Sequence, residues 1–326
     1  MIDAYDENDY IYAVARIRSA ELGLLDQEAM KAVIDAPSAE EAMQVLSEKN
    51  YGSGENASYE EMFTAEREKL WALIDEIVKD RSILDVFRIP SDYNNLKAAI
   101  KESVLEKEYP GIYMEEATVE PKEIRTLVRE RRYGELPERM QEIAREAHDL
   151  FLRTGDSQLC DIHVDRACME AMLSAAEETE NELLRGYAAL FTGASDIRIA
   201  VRAALTGRDN AFLDTAMCEC GILNIDALKT ASRNGIEAIC TFLSTTDFSD
   251  AVPELRKSVT AFECWCDNHI IEEIRGELYE SFGIGPIAAY IIAKQTEMKS
   301  LRIILSGKEN GFSEKMITER VRETYV

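Results

Sequence analysis

The chain has 326 residues, 46% of them hydrophobic, with 37 Lys plus Arg against 62 Asp plus Glu, a formal net charge of −25. A chain this long buries roughly three quarters of its unfolded surface, so stability needs neither disulfides nor metals, and the apolar fraction excludes wholesale disorder. The acidic excess repels nucleic-acid backbones and anionic lipid heads, so no nucleic acid is expected as a partner, and a charged partner is expected to be basic.

Nearly every segment reads as helix. Ile11, Val14, Ala15, Leu22 and Leu25 outline a first amphipathic segment with Gly23 as its weak point, and Pro37 stops the next short one. Ser38-x-x-Glu41 and Ser58-x-x-Glu61 are capping-box patterns. The first opens a helix ending near Tyr51-Gly52, followed by a Gly-rich loop over residues 52–56. The second opens a long helix through Phe63, Leu70, Trp71, Ile74 and Val78, broken at Pro90. Asp92 starts another helix, with Leu96, Ala99 and Ile100 inward. Tyr109-Pro110-Gly111 breaks the chain, and residues 112–119 read equally as loop or short strand. Pro121 opens a helix ending at Tyr133-Gly134, and the spacing of Met140, Ile143, Ala144, Ala147, Leu150 and Phe151 predicts the next.

A long helical stretch is expected from Asp156 to Thr192-Gly193. Shorter helices over 196–205, 212–220 and 225–233 follow, then a last long one over 254–282. In the tail, residues 283–326, Pro286 suits a first helical turn, and Ile287, Tyr290, Ile291, Lys294, Met298, Leu301, Ile304 and Leu305 keep one stripe. Gly307 fits a helix stop, and Ser313 caps a second helix lined by Ile317, Val321 and Tyr325.

An internal repeat shows through this order. Asp92-x-x-Asn95-Leu96-Lys97, Asp196-Ile197-Arg198-x-x-x-Arg202 and Glu297-x-Lys299-x-Leu301-Arg302 each lie on a helix, followed by a turn and a short helix closing on an aromatic: Tyr133, Phe248 or Tyr325. Residues 13–51 echo the pattern with Arg16, Arg18 and Tyr51. The division expected is a leading partial unit over 1–57 and helical units over 58–137, 138–252 and 253–326. Three such copies are too few and too long for a familiar solenoid, so closure about an axis is the natural arrangement.

Chemistry is sparse. Gly283-x-Gly285-x-x-Ala288 matches a dinucleotide fingerprint in letters, but a charged helix precedes it and Pro286 sits inside, so a helix–helix turn is expected. No Walker pattern occurs. Cys218-x-Cys220 and Cys264-x-Cys266-x-x-His269 place their thiols two apart, which on a helix point in different directions; Cys160-x-x-His163 with Cys168 is better placed on one face. Buried thiols are the expectation for all of them. Three histidines without a nucleophile elbow give no catalytic set, so no catalytic, cofactor-binding or metal residue is expected. The polar residues of the repeat are read as interhelical ion pairs and caps, and the basic cluster Arg129, Arg131 and Arg132 as a solvated face.

Seven cysteines without framework spacing, and an opening Met-Ile-Asp-Ala-Tyr-Asp-Glu without a signal-peptide pattern, point to the reducing cytoplasm. The longest apolar run, residues 286–293, is well under the roughly twenty residues a bilayer span takes, so no direct membrane span is expected.

Four stretches carry a family resemblance: Tyr10-x-Tyr12-Ala13-x-Ala15-Arg16-x-Arg18; Asp92-Tyr93-Asn94-Asn95-Leu96-Lys97; Phe262-Glu263 to Phe282-Gly283; and Glu297-x-Lys299-x-Leu301-Arg302-x-Ile304-Leu305-x-Gly307-Lys308 with the closing Tyr325-Val326. In this order the chain resembles the C subunit of the archaeal and bacterial V/A-type ATPases, the counterpart of the d subunit of eukaryotic vacuolar ATPases. The resemblance implies an all-α fold of three similar helical units around a pseudo-threefold axis, shaped as a funnel. It also implies a non-catalytic rotor role at the cytoplasmic face of the membrane. There the central-shaft subunits D and F and the membrane proteolipid (c/K-type) ring would be the partners, in a complex that moves protons or sodium ions. It carries no interface residues across. A free-standing helical adaptor of the same architecture is the alternative.

Overall fold

The computed structural model describes residues 10–52 and 58–326; the acidic opening and most of the expected Gly-rich loop lie outside them. Every regular element among the described residues is helical, as expected, and the chain divides into a terminal unit (Met1–Arg81 with Ala251–Val326) and an internal unit (Ser82–Asp250).

Helix α1 (Ile11–Glu21) buries Ala13, Val14 and Ile17, while Ile11, Ala15 and Leu22 of the expected stripe face solvent. Only Val14 and the later Leu25 of that set are core. Helix α2 (Gln27–Asp35) stops ahead of Pro37. Helix α3 (Ala39–Glu48) starts at Ser38, whose hydroxyl accepts the Glu41 N–H at 3.1 Å. Helix α4 (Tyr59–Ile77) opens in the same way at Ser58. It does not reach Pro90: a 3-10 helix covers Arg81–Phe87, and Pro90 lies in the first turn of α5 (Ile89–Leu105), where no N–H is needed.

Helix α7 (Glu138–Thr154) falls where the sequence puts it, and residues 112–119 are loop rather than strand. Helix α6 (Pro121–Arg129) opens at Pro121 as expected but stops short of Tyr133-Gly134, because Arg131 at φ 57° turns the chain into a separate 3-10 helix over Tyr133–Glu135. The next stretch differs. Helix α8 (Ser157–Glu178) ends early; the chain turns with Glu180 at φ 54°, and Asn181 caps α9 (Glu182–Thr206) by accepting the Leu184 N–H at 3.0 Å. Thr192-Gly193 therefore sit inside α9. A Cβ on Gly193 would lie 3.2 Å from both Ile222 Cδ1 and Phe248 Cζ, so this glycine admits close packing rather than ending a helix. Helix α10 (Asn210–Ala216) ends before Cys218, α11 (Ile225–Arg233) matches the expectation, and α12 (Ile236–Leu243) is an addition.

The long helix expected over 254–282 is two helices, α13 (Val252–Lys257) and α14 (Val259–Ile274), followed by a 3-10 turn over Arg275–Tyr279. Ser258 makes the break: its backbone is extended and its side chain accepts the Ala261 N–H at 3.0 Å, capping α14. Helix α15 (Gly285–Glu309) is buried on nearly every side over its first ten residues, as befits the centre of its unit. It runs through Gly307 rather than stopping there. A Cβ on Gly307 would lie 2.9 Å from Ile317 Cγ1, in α16 (Glu314–Thr318), and the turn is made instead by Gly311 at φ 68°.

The core of the terminal unit joins the two ends of the chain. Leu25, Val33, Leu46 and Phe63 pack in one buried cluster with Leu301, Ile304, Leu305 and Ile317. Thus α2, α3 and α4 close on α15 from the far end of the sequence.

Candidate functional site

Of the buried carboxylates, three stand at the first position of the repeated motif: Asp92 on α5, Asp196 on α9 and Glu297 on α15. Asp92 and Asp196 are fully buried and Glu297 is 7% exposed. Four residues on from each, at the next turn of the same face, stands a fully buried Leu96, Ala200 or Leu301. Each acid accepts a backbone N–H from the connector that leads into a short helix.

Asp92 accepts the Thr118 N–H at 2.8 Å and the Val119 N–H at 3.1 Å through Oδ1. Through Oδ2 it accepts the Thr118 hydroxyl at 2.6 Å and Arg139 Nη2, from α7, at 2.8 Å. One turn on, Asn95 donates Nδ2–H to the Met114 carbonyl and accepts the Met114 N–H, both at 2.8 Å. Two turns further, Glu102 accepts from Tyr109 N, Tyr113 Oη and Arg125 Nε at 2.7, 2.9 and 2.6 Å. Burial raises the Glu102 carboxyl, but those donors outweigh it and hold the group below the usual range. The face of α5 thus supplies partners that a strand ladder would otherwise provide, which is why residues 112–119 are ordered without being a strand.

Asp196 accepts the Cys218 N–H at 3.1 Å, and the neighbouring turn is tied by Ser232 Oγ donating to the Ala200 carbonyl at 2.8 Å. Glu297 accepts the Leu25 N–H at 2.5 Å and Lys294 Nζ at 2.8 Å; Lys294 also reaches Glu66 at 2.6 Å and lies 4.1 Å over the Tyr51 ring. Burial opposes the Lys294 charge, yet Glu297 and Glu66 outweigh it and raise its pKa, while Glu66 is lowered by Lys294 against its own burial.

The remaining motif residues are spent in the same way. Lys299 meets Asp267 at 2.5 Å and Arg302 meets Glu60 at 2.7 Å. Lys308 donates to the Ile34 carbonyl at 2.6 Å and to the Ala36 carbonyl, satisfying the end of α2. Arg16 pairs with Glu76 through two hydrogen bonds of 3.0 Å, and Arg18 holds the carbonyls of Glu277 and Glu280 at 2.5 and 2.6 Å. Lys97 pairs with Asp165 at 2.5 Å, and Arg198 donates to Ser195 on its own helix. In the basic cluster, Arg129, Arg131 and Arg132 are exposed, and Arg132 bonds Glu130 and Glu135.

Gly283, at φ 78°, lies in the bend between the 3-10 turn of Arg275–Tyr279 and α15, and among the described residues no strand precedes the fingerprint letters. Cys218 and Cys220 lie in a non-helical connector, so helix geometry does not separate them; both are buried, as are Cys160, Cys168 and Cys240. Burial pushes the Cys160 thiol up to about 11 and the Cys168 and Cys218 thiols up to about 12. No group of three His, Cys, Asp or Glu among the described residues is placed to hold a metal. The histidines have separate partners: His148 meets Tyr133 and Ser103, His163 meets Glu146 at 3.0 Å, and His269 stacks on Trp265. Among the described residues no helix is long and apolar enough to cross a membrane.

Fold and site define an all-helical protein whose polar motifs are consumed in clamping connectors onto long helices. The chain belongs to the ATP synthase (C/AC39) subunit family, whose model matches residues 13–320. It is similar to the C subunit of the V-type sodium ATPase of Enterococcus hirae, 23% identical over 317 residues covering 95% of this chain and 97% of the relative. It is also similar to the C subunit of the A-type ATP synthase of Methanocaldococcus jannaschii, at 22% identity covering 92% and 82%. A third relative, the corresponding A-type ATP synthase protein of Halorubrum lacusprofundi, is 29% identical over about half of each chain.

Proposed function

We propose that this chain is a non-catalytic rotor component of a V/A-type ATPase. It sits at the cytoplasmic face of the membrane, links the D/F shaft to the proteolipid ring, and passes torque between them during ATP-driven ion transport or ATP synthesis. The observation that carries the reading is the family match over residues 13–320, together with a V-type ATPase relative aligned over 95% of the chain. The clamps support it: a part that transmits torque needs connectors that do not slip, and Asp92, Asn95 and Glu102 fasten one connector at three heights along α5. The transported ion is selected in the ring and leaves no mark here.

The three-unit division at 58–137, 138–252 and 253–326, with 1–57 leading, belongs to the same proposal, as does the funnel about a pseudo-threefold axis. A compact globule of this length has a radius of gyration of about 20 Å. Solution scattering is expected to exceed it by several ångströms, and a value at 20 Å would count against the funnel.

The test of the partners is affinity capture of the tagged chain from native membranes in mild detergent, followed by mass spectrometry. Recovery of a small, very hydrophobic proteolipid with the shaft subunits is expected. Capture of neither, from membranes that contain an assembled V/A-type ATPase, would refute the assignment.

A further inference from the structure

The three buried acids of the repeated motif are not equally satisfied. Asp92 receives four donors, one of them the Arg139 guanidinium, and Glu297 receives the Lys294 ammonium. Asp196 receives the Cys218 N–H on Oδ1, while its Oδ2 is buried without a hydrogen-bond partner among the described residues. Thr192, one turn back on the same face of α9, is also fully buried, and its hydroxyl likewise lacks a partner among them.

The charges around Asp196 are engaged elsewhere. On α8, Arg166 donates to Glu170 at 2.9 Å and to the Asp214 carbonyl at 2.8 Å. On α11, Lys229 pairs with the α10 carboxylate of Asp214 at 2.7 Å. The connector itself brings Glu219 and the buried thiols of Cys218 and Cys220, and α12 brings the buried Cys240. Among the described residues no cation compensates an ionised Asp196 as Arg139 does for Asp92.

We propose that the connector at residues 217–223 is a proton-operated latch on α9, closed over Asp196 when that carboxyl carries a proton and released when it is ionised. A protonated carboxyl keeps the Cys218 bond and becomes a donor able to turn toward Thr192. An ionised one, buried and unpaired, gains by meeting water, and the lifting of the connector admits it.

The electrostatics agree in sign. Burial pushes the Asp196 carboxyl up to about 7; the Cys218 N–H pulls it back, Glu219 pushes it further up, and Arg166 and Lys229 pull it down. In the open state the group is solvated, with an ordinary value of about 3.9. Opening therefore releases a proton between those two values. The opening constant rises about tenfold per pH unit across that window and levels off above about pH 7.

Hydrogen exchange on the full-length chain, corrected for intrinsic exchange at each pH, reads this directly. Protection over residues 217–223 is expected to fall about tenfold from pH 5.5 to 6.5 and to be flat above about 7.5. The connector at residues 112–119, clamped by Asp92 with Arg139, should not follow. In Asp196→Asn the dependence at 217–223 should vanish. The latch is overturned if protection at 217–223 is independent of pH, if residues 112–119 fall in parallel, or if the asparagine variant keeps the dependence. Should that variant fail to fold, the two connectors of the wild-type chain decide.

Discussion

Replacing Lys294 with Met tests the clamp that closes the terminal unit. Lys294 is 5% exposed, with its ammonium 2.6 Å from Glu66 and 2.8 Å from Glu297. Met preserves most of the stem and removes the charge. Glu66 keeps Lys69 at 2.8 Å and the Gly52 N–H at 2.8 Å, whereas Glu297 is left facing the Leu25 N–H without Lys294 as its countercharge. Breaking a buried pair by removing one partner costs about 3–5 kcal/mol, and the surviving Lys69 contact puts this case near the lower end, about 3 kcal/mol. At about 2–4 °C per kcal/mol for a body of this size, the melting temperature of the terminal unit falls by about 6–12 °C.

Calorimetry combined with hydrogen exchange at residues 25–35 locates the loss. Its pH dependence is diagnostic. In the wild type, Glu66 is held below its usual range, so its contribution is present above about pH 4.3 and lost as pH falls through the lower folded value. In the variant Glu66 loses that cation, so the deficit shrinks as pH falls below about 4.3. Adding Glu297→Gln should restore part of the stability at pH 7. A loss under about 1 kcal/mol, or a deficit of the same size at about pH 3.5 and 7.5, would refute the reasoning.

Other outcomes follow from the same geometry. Asp92→Ala leaves the Thr118 and Val119 amides without their acceptor and removes the carboxylate partner of the partly exposed Arg139, and is expected to cost about 2–4 kcal/mol, with loss of exchange protection at residues 112–119. Gly307→Ala gains about 1 kcal/mol of helix propensity but forces Ile317 from 2.9 Å contact at about 1–3 kcal/mol; a net loss and a shifted α16 are expected, and a stabilised variant would contradict the packing role. Ser58→Ala removes the acceptor for the Glu61 N–H and should cost about 1 kcal/mol by denaturant titration.

Local signals in the sequence were reliable where the cause was local. Ser38, Ser58 and Ser313 cap their helices, and Pro121 opens α6, because capping and proline geometry act over three or four residues. Gly193 and Gly307 misled because their cause is remote: Phe248 and Ile317 press on them, and a packing glycine reads like a stop. The apolar stripe assigned to α1 failed for a similar reason, since what faces α1 comes from α15 and α4 rather than from its own spacing. The spacing of Asp92, Asp196 and Glu297 was legible as a repeat, whereas their work was not. Their partners are backbone amides of connectors, which have no side-chain signature, and for Glu297 the partner Leu25 lies 272 residues away. The pairing of Cys218 and Cys220 was argued on a helix that ends at Ala216, because nothing in residues 217–220 breaks a helix in isolation.

The central claim is that this chain couples shaft to ring, and the most direct measurement is ATP-driven ion uptake in native membrane vesicles depleted of it and then supplied with purified protein. The account predicts that depletion abolishes uptake while ATP hydrolysis by the detached catalytic head persists, and that adding the chain back restores uptake. Uptake that survives depletion, or hydrolysis that disappears with this chain alone, would contradict it.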